Sequence, residues 1–559
     1  MISRRRYYLI MISIPVVFFV LFDLVLRLAK IDPYEEKPLP REFLGSAERL
    51  YNKIAMADGQ EAYVTEVGRS DPCRFQPIPV HKPENAYFIF IVGGSAPGGF
   101  PYSGHVAFSQ WLKAGLETVY PENAFHMVNA SFPGVTLGTV ALIVREMLEY
   151  QPDVIIVYSG NNEQRNLEEG ITVFKNSGVG PILLRVCWKL RSFQVLHYLM
   201  VGRRPSFDWR FAAVDAKRQT KSRSTDELPF LLERYKTGLR AIHQLASKEG
   251  VPVLFCTVPV NEKDWPPYES VFSESLPAHE KNEWMGNLRQ VASLINNRKP
   301  REAREICRQL LTRDSRYALA HYFLGKTNEQ LGLKEEARRA YQAALDSDQV
   351  RLRAFGALNH ALVEFCEAHS LPVADCVENL RRSSSDGLLG YDQFLDNCHL
   401  KPDGHRTISG EICRALIESG PLPKPPVDWK RRFENGLVQY ERAMVISDQE
   451  RAFAYLNTAK ALLEGITFRM DPVAFKRAEE LLKLALTTIP EICSGHFYLG
   501  VIYFLAGDPE SAGREWRTEL RICPRLAESQ AALDLLDSGR LSREALLHKS
   551  LFNLTVPGP

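Results

Sequence analysis

The chain has 559 residues, room for roughly three or four domains of ordinary size. At 45% hydrophobic and 24% charged residues its composition is that of a globular protein, which excludes disordered and low-complexity classes. Lys and Arg total 69 against 67 Asp and Glu, a net of +2, so nothing points to nucleic acid or to a polyacidic partner.

The first element is Arg4-Arg5-Arg6 followed by an apolar run, Tyr7 to Phe22, then Asp23, Leu24–Leu26 and Arg27. About 20 residues of this kind are long enough to cross a bilayer as a helix. The leading arginines favour a cytoplasmic N-terminus, and no small-x-small cleavage site follows. The reading is an uncleaved signal anchor over residues 1–30, with Asp23 near the outer interface. It predicts a single-pass protein of the inner membrane with the bulk of the chain in the periplasm or outside. Ten cysteines show no CxxC and no regular framework. Cys376 and Cys398 fall at the same sheet edge; separate buried thiols are preferred there to a disulfide.

Residues 31–85 read as a polar, extended lead-in. A βα alternation then begins. Ala86–Val92 is a continuous apolar run, as a buried parallel strand should be. It ends at Gly93-Gly94-Ser95, with a helix pattern near Val106–Val119. A short strand at Phe125–Asn129, a helix at Leu137–Tyr150 and a strand at Val154–Tyr158 follow. Ile182–Met200 reads as a helix packed on the sheet, with an interfacial helix or lid as the alternative. Leu228–Lys248 carries one apolar stripe and Gly250 as its C-terminal cap. Val251–Val258 is the fourth strand. After a helix at Ala354–His369, Leu371–Asp375 is the fifth. Strands alternating with helices imply a parallel sheet.

Between strands four and five the grammar changes. Residues 318–351 fit a 34-residue tetratricopeptide period, with Leu324-Gly325, Gly332, Ala337, Tyr341 and Ala344 at its small and large positions. One period earlier Ala303 and Cys307 repeat the pattern, so 284–350 reads as two inserted helical hairpins. Pro421–Val427 is a stiff linker. Leu499-Gly500, Tyr503, Gly507, Ala512, Trp516 and Pro524 then fit the same template, within a C-terminal repeat region over 427–540. The α/β part is thus split into 86–283 and 351–420.

Chemistry gathers where the strands end, which is where open α/β sheets bind ligands. Ser95 sits on a Gly-flanked turn ahead of a helix whose N-terminus would favour developing negative charge. Asn129-Ala130-Ser131-Phe132-Pro133-Gly134 brings a backbone N–H to the same edge, and Gly160-Asn161-Asn162-Glu163 brings an amide donor. A hydroxyl with N–H donors from Ser95, Gly134 and Asn161 is equipment for a tetrahedral oxyanion. Asp396 precedes His399 by three residues, so its carboxylate can hold Nδ1–H and leave Nε2 to take the Ser95 proton. Glu163 either tunes the site or makes a structural hydrogen bond. His405 is read as structural. A metal cluster of Asp396, Cys398, His399 and His405 is disfavoured, because three ligands would share one short turn and no second ligand group is apparent.

These four blocks, in order, resemble the SGNH (GDSL-type) hydrolase family: Gly93-Gly94-Ser95, Asn129-Ala130-Ser131 with Gly134, Gly160-Asn161, and Asp396 with His399. The first block departs from Gly-Asp-Ser-Leu, and the third is shorter than Gly-x-Asn. Tyr158–Glu163 and Val258–Pro267 resemble a bacterial membrane-anchored branch that carries tetratricopeptide repeats; many of its members have His where Asn162 stands. The resemblance covers about 86–260 and 351–415. It implies a flavodoxin-like three-layer α/β/α fold, Ser95 as nucleophile, His399 as base, Asp396 as its orienter, and Gly134 and Asn161 as oxyanion donors. The expected function is an acyl or acetyl esterase of the cell envelope acting on an acylated glycan, lipid or small ester, with a protein partner on the repeats and no cofactor. An O-acyltransferase using the same triad and a non-catalytic repeat scaffold are the alternatives.

Overall fold

A computed structural model of the chain describes residues 22–29 except 27, 50–164 except 57–58 and 66–75, residues 192 and 195, and 227–542 except 274, 470–471 and 525. The described residues belong to two units. In the unit drawn from 1–50 and 165–208, residues 22–26 are helical. Asp23 is buried and accepts hydrogen bonds from the Ser192 N–H (3.0 Å) and hydroxyl (3.4 Å).

The expected membrane anchor is corrected. Among the described residues no helix is long and apolar enough to cross a membrane, so the single-pass inner-membrane placement is withdrawn. Residues 1–21, with most of the apolar run, lie outside the described residues, as does all of Ile182–Met200 except Ser192 and Val195.

The second unit opens with a small antiparallel sheet, β1 (Tyr51–Ala55), β2 (Glu61–Thr65) and β3 (Ile78–Pro79). The expected extended lead-in is therefore partly folded. Ala62, Val64 and Ile78 are buried, the Tyr51 N–H donates to Glu146 (2.9 Å), and the Tyr63 and Tyr150 rings lie 4.7 Å apart.

The main sheet has five parallel strands: β4 (Ala86–Gly93), β5 (Ala124–Ser131), β6 (Val154–Tyr158), β7 (Val253–Cys256) and β8 (Val373–Ala374). Their spatial order is β5-β4-β6-β7-β8, the 2-1-3-4-5 order of flavodoxin-like sheets. β4 is an interior strand in which every side chain from Phe88 to Val92 is apolar and buried, which only a strand covered on both faces tolerates. Gly93 is in register with Ser131 on one side and Tyr158 on the other, so three strands end level. The order in which strands are added reverses at β4, with β5 on one side and β6 on the other, and that crevice is where this class of sheet offers its site.

Helix α1 (Phe108–Val119) covers the sheet with Phe108, Trp111, Leu112, Leu116 and Val119. α2 (Leu137–Met147) packs against α3 (Glu227–Lys248), and Gly250 follows α3 at φ +68°, in the left-handed conformation expected of a cap.

The insertion consists of two helical hairpins, α4 (Ala278–Asn296) with α5 (Pro300–Arg313) and α6 (Ala318–Gln330) with α7 (Lys334–Ser347). α8 (Gly356–Ala368) and α9 (Cys376–Ser383) complete the α/β part with α10 (Pro402–Ser419). Beyond the linker, α11 (Trp429–Ala443) packs on α1, where a Cβ at Gly436 would meet the Ala114 carbonyl oxygen at 2.5 Å. Then come α12 (Asp448–Arg469) with α13 (Pro472–Thr488), α14 (Gly495–Leu505) with α15 (Pro509–Ile522), and α16 (Ala527–Asp537).

The same contact recurs in both helical regions. A Cβ on Gly325 would lie 2.5 Å from the Tyr341 ring, and one on Gly500 would lie 2.5 Å from Trp516 Nε1. Trp516 is fully buried and donates to the Phe497 carbonyl (3.1 Å), so it cannot yield cheaply. Gly500→Ala is expected to destabilise the C-terminal repeats by about 1–3 kcal/mol through overpacking, read as a lower urea midpoint.

Cys256, Cys307, Cys366, Cys376, Cys398 and Cys413 are buried free thiols. Among the described residues one disulfide, Cys493–Cys523, joins the turn before α14 to the end of α15. Nothing in the cysteine spacing announced it, because the two residues meet only when α14 and α15 fold back on each other as a hairpin.

Candidate active site

Ser95 lies two residues beyond β4. A Cβ at Gly93 would stand 2.0 Å from the Tyr158 carbonyl oxygen, so only glycine lets β4 and β6 end this close together. The helix following β4 starts at Phe108, within the expected Val106–Val119, well along the chain from Ser95. Successive turns intervene, closed by Gly98 and Gly99 N–H groups on Ser95 and Ala96 carbonyls. Ser95 therefore gains no helix N-terminus of its own.

The Ser95 hydroxyl is 2.7 Å from His399 Nε2. His399 Nδ1 lies 2.6 Å from Asp396 Oδ2. With Asp396 ionised, Nδ1 carries the proton and donates it to the carboxylate, which leaves Nε2 as acceptor for the Ser95 O–H. Asp396 Oδ1 accepts the backbone N–H groups of Cys398 (2.9 Å) and His399 (2.8 Å). One carboxylate thus shapes the turn with one oxygen and holds the imidazole with the other. Burial opposes ionisation of Asp396, yet His399 and the two N–H groups hold its pKa below the usual value. Burial likewise disfavours a charged His399, but the neighbouring Asp396 carboxylate outweighs it and raises the imidazole well above its ordinary pKa. The Phe100 ring packs 4.8 Å from the His399 ring.

Gly134 and Asn161 come from the loops on either side. Gly134 has φ +76°, a left-handed conformation that glycine adopts without strain. Asn161 is 8% exposed, and its Oδ1 accepts the Ala354 N–H (2.9 Å). Among the described residues no protein acceptor meets the Ser95 N–H, the Gly134 N–H or Asn161 Nδ2. Glu163 is buried, and its Oε1 accepts the Leu137 N–H (2.9 Å) at the start of α2. It thereby ties the loop after β6 to the one after β5. Burial pushes Glu163 up to about 7 against the pull of Arg234 and the Leu137 N–H.

Sequence reasoning missed the scaffold behind the Asp396–His399 turn. Asn261, fully buried, donates from its side chain to the Asp396 carbonyl (3.0 Å) and from its backbone to the Asn397 carbonyl (3.0 Å). Its Oδ1 accepts the Asp264 N–H (3.0 Å). The available signal was a polar run directly after an apolar strand. On the other flank Glu450 of α12 accepts the Ser103 N–H (3.2 Å) and lies 3.5 Å from His105, so the C-terminal helices grip the loop that follows Ser95.

His405 lies in α10, fully buried, with no partner for either ring nitrogen among the described residues. Burial and the nearby His399 push it down to about 3, so it stays neutral. Asp396, Cys398 and His399 offer ligand atoms within 4.8 Å of one another, but the imidazole and carboxylate are already committed to each other and to Ser95.

Residues 288–350 match the tetratricopeptide repeat family. No curated protein matches the chain. Solved structures similar to it are GDSL-type and related esterases. A GDSL-like lipase from Bacteroides thetaiotaomicron is 9% identical, with 59% of this chain and 88% of that one covered at a TM-score of 0.26. A lipase/acylhydrolase from Enterococcus faecalis is 12% identical, with 59% and 95% covered and a TM-score of 0.26. A variant acetyl xylan esterase from Geobacillus stearothermophilus is 12% identical, with 59% and 94% covered and a TM-score of 0.27. Identities this low and TM-scores this small leave the chemistry to be judged from the side chains themselves.

Proposed function

We propose that the chain is a serine ester hydrolase that works through an acyl-serine intermediate. The observation that carries this reading is the continuous relay from the Ser95 hydroxyl through His399 to Asp396, at 2.7 and 2.6 Å. Ser95 Oγ attacks the ester carbonyl carbon while its proton passes to His399 Nε2. The carbonyl oxygen becomes an oxyanion and takes hydrogen bonds from the Ser95 and Gly134 N–H groups and Asn161 Nδ2. Collapse breaks the bond to the alcohol, which leaves with the proton from Nε2. Water, deprotonated by the same nitrogen, then releases the acid and restores Ser95. Asp396 keeps the imidazole in the working tautomer throughout. The fitting substrate class is an acyl or acetyl ester of a glycan, lipid or small alcohol, and the helical repeats offer surfaces for a protein partner.

The test is steady-state and burst kinetics on p-nitrophenyl acetate. A burst of p-nitrophenol near one per chain, followed by slower turnover, is the expected signature of an acyl-enzyme. Absence of turnover on this and on acetylated glycans would remove the reading.

The pH dependence follows from the imidazole. His399 accepts a proton only when neutral, and its pKa stands above the ordinary 6.5. Hydrolysis is therefore expected to rise with pH, with the acid limb of kcat/KM centred above 6.5. The limb should persist in Glu163→Gln, which separates it from titration of that neighbouring carboxyl.

A further inference from the structure

The segment that returns from the inserted hairpins, 348–354, runs beside the loop Gly160–Gln164. Three bonds join them, each through a side-chain amide of the loop. Asn161 Oδ1 accepts the Ala354 N–H at 2.9 Å. Gln164 Oε1 accepts the Arg351 N–H, and Gln164 Nε2 donates to the Gln349 carbonyl at 2.8 Å. Gln164 is 3% exposed. An amide has one accepting end and one donating end, and Gln164 commits both to the backbone of this one segment. That fixes where the segment lies, and hence where the Ala354 N–H points. The Ala354 N–H in turn admits only one orientation of the Asn161 amide, because a flipped amide would set two donors face to face. Nδ2 is thereby turned away from Ala354.

The same segment braces the other half of the relay. The Arg353 guanidinium donates to the carbonyls of Asn261 and Pro266, and Asn261 carries the Asp396 turn. Asp348 accepts the N–H groups of Tyr268 (2.7 Å) and Glu269 (2.9 Å).

We infer that Gln164 is a positioning residue for the oxyanion donor Asn161, acting through the strut 349–354. The inference rests on the hydrolase reading above. It also gives the inserted repeats a mechanical link to the site, since the strut is the direct continuation of α7.

A double-mutant cycle on p-nitrophenyl acetate tests it. Gln164→Leu removes both bonds at similar volume and is expected to lower kcat about tenfold with KM within about twofold. In an Asn161→Ala background the same change is expected to cost less than about twofold, because the donor it positions is gone. Full additivity of the two losses would overturn the inference, since a general structural defect acts whether or not Asn161 is present. If the leucine variant fails to fold by circular dichroism, Gln164→Glu keeps the acceptor for Arg351 and loses the donor to Gln349. Its loss should be non-additive with Asn161→Ala in the same way. A wild type that does not turn over would remove the hydrolase reading and this inference together. An active wild type with additive losses would remove only this one.

Discussion

Ser95→Ala and His399→Ala are each expected to lower kcat on p-nitrophenyl acetate by about 10⁴-fold or more, with the unfolding midpoint almost unchanged in Ser95→Ala and lowered in His399→Ala, which leaves the buried Asp396 carboxylate without its partner. The two losses should be similar because hydroxyl and imidazole act as one unit. Without Ser95 there is no atom to carry the acyl group. Without His399 the hydroxyl stays protonated, since nothing else within hydrogen-bonding reach takes its proton among the described residues. Stability should survive Ser95→Ala because the hydroxyl makes one side-chain bond, to His399, and leaves only an oxygen-sized gap. The double variant should be no worse than either single one. A loss below about tenfold in either variant would mean that the relay is not the reaction path.

Asn161→Ala is expected to lower kcat by about 10²–10³-fold with little change in KM, because the amide donates most strongly to charge that exists only in the transition state. The substitution also orphans the buried Ala354 N–H, which should cost about 1–3 kcal/mol of stability. Asn161→Asp separates the two effects. An aspartate keeps an acceptor for Ala354 but removes the donor and adds a negative charge where the oxyanion forms. Stability should return while kcat stays at least as low as in the alanine variant. Kinetics together with urea unfolding on both variants read the two quantities. An Asn161→Asp protein with near wild-type turnover would show that no oxyanion donor is needed from this position.

Much of the α/β framework was legible because it is written locally. A strand buried on both faces must be apolar throughout, and Ala86–Val92 and Val154–Tyr158 meet that demand so fully that their limits were readable to within a residue. The helical hairpins were legible for a related reason. A glycine facing a large ring, as Gly325 faces Tyr341 and Gly500 faces Trp516, needs fixed spacing along the chain. Ser95, Gly134 and Asn161 could be nominated because each stands just beyond a strand whose end the sequence marks, and Asp396 could be paired with His399 across one turn.

What escaped reading depends on distance along the chain. Ala354 reaches Asn161 across 193 residues, Asn261 reaches Asp396 across 135, and Gln164 reaches Arg351 across 187. No spacing rule connects such pairs, and each looks like an ordinary loop amide until the sheet aligns their segments. The small sheet formed by β1 to β3 was missed because its strands are short and gain their burial from the α/β part beneath them. The helix expected near Val106–Val119 is present, but turns closed by the Gly98 and Gly99 N–H groups separate it from Ser95, so the N-terminus expected to favour an oxyanion does not follow Ser95 directly.

The central claim is that Ser95 is made nucleophilic by His399. The most direct measurement is reaction of the intact chain with a fluorophosphonate probe, followed by mass-spectrometric location of the adduct. One phosphonyl group per chain is predicted, on the peptide containing Ser95, with the rate of labelling falling by orders of magnitude in His399→Ala. No adduct on that serine, or labelling at an undiminished rate without the imidazole, would contradict the account.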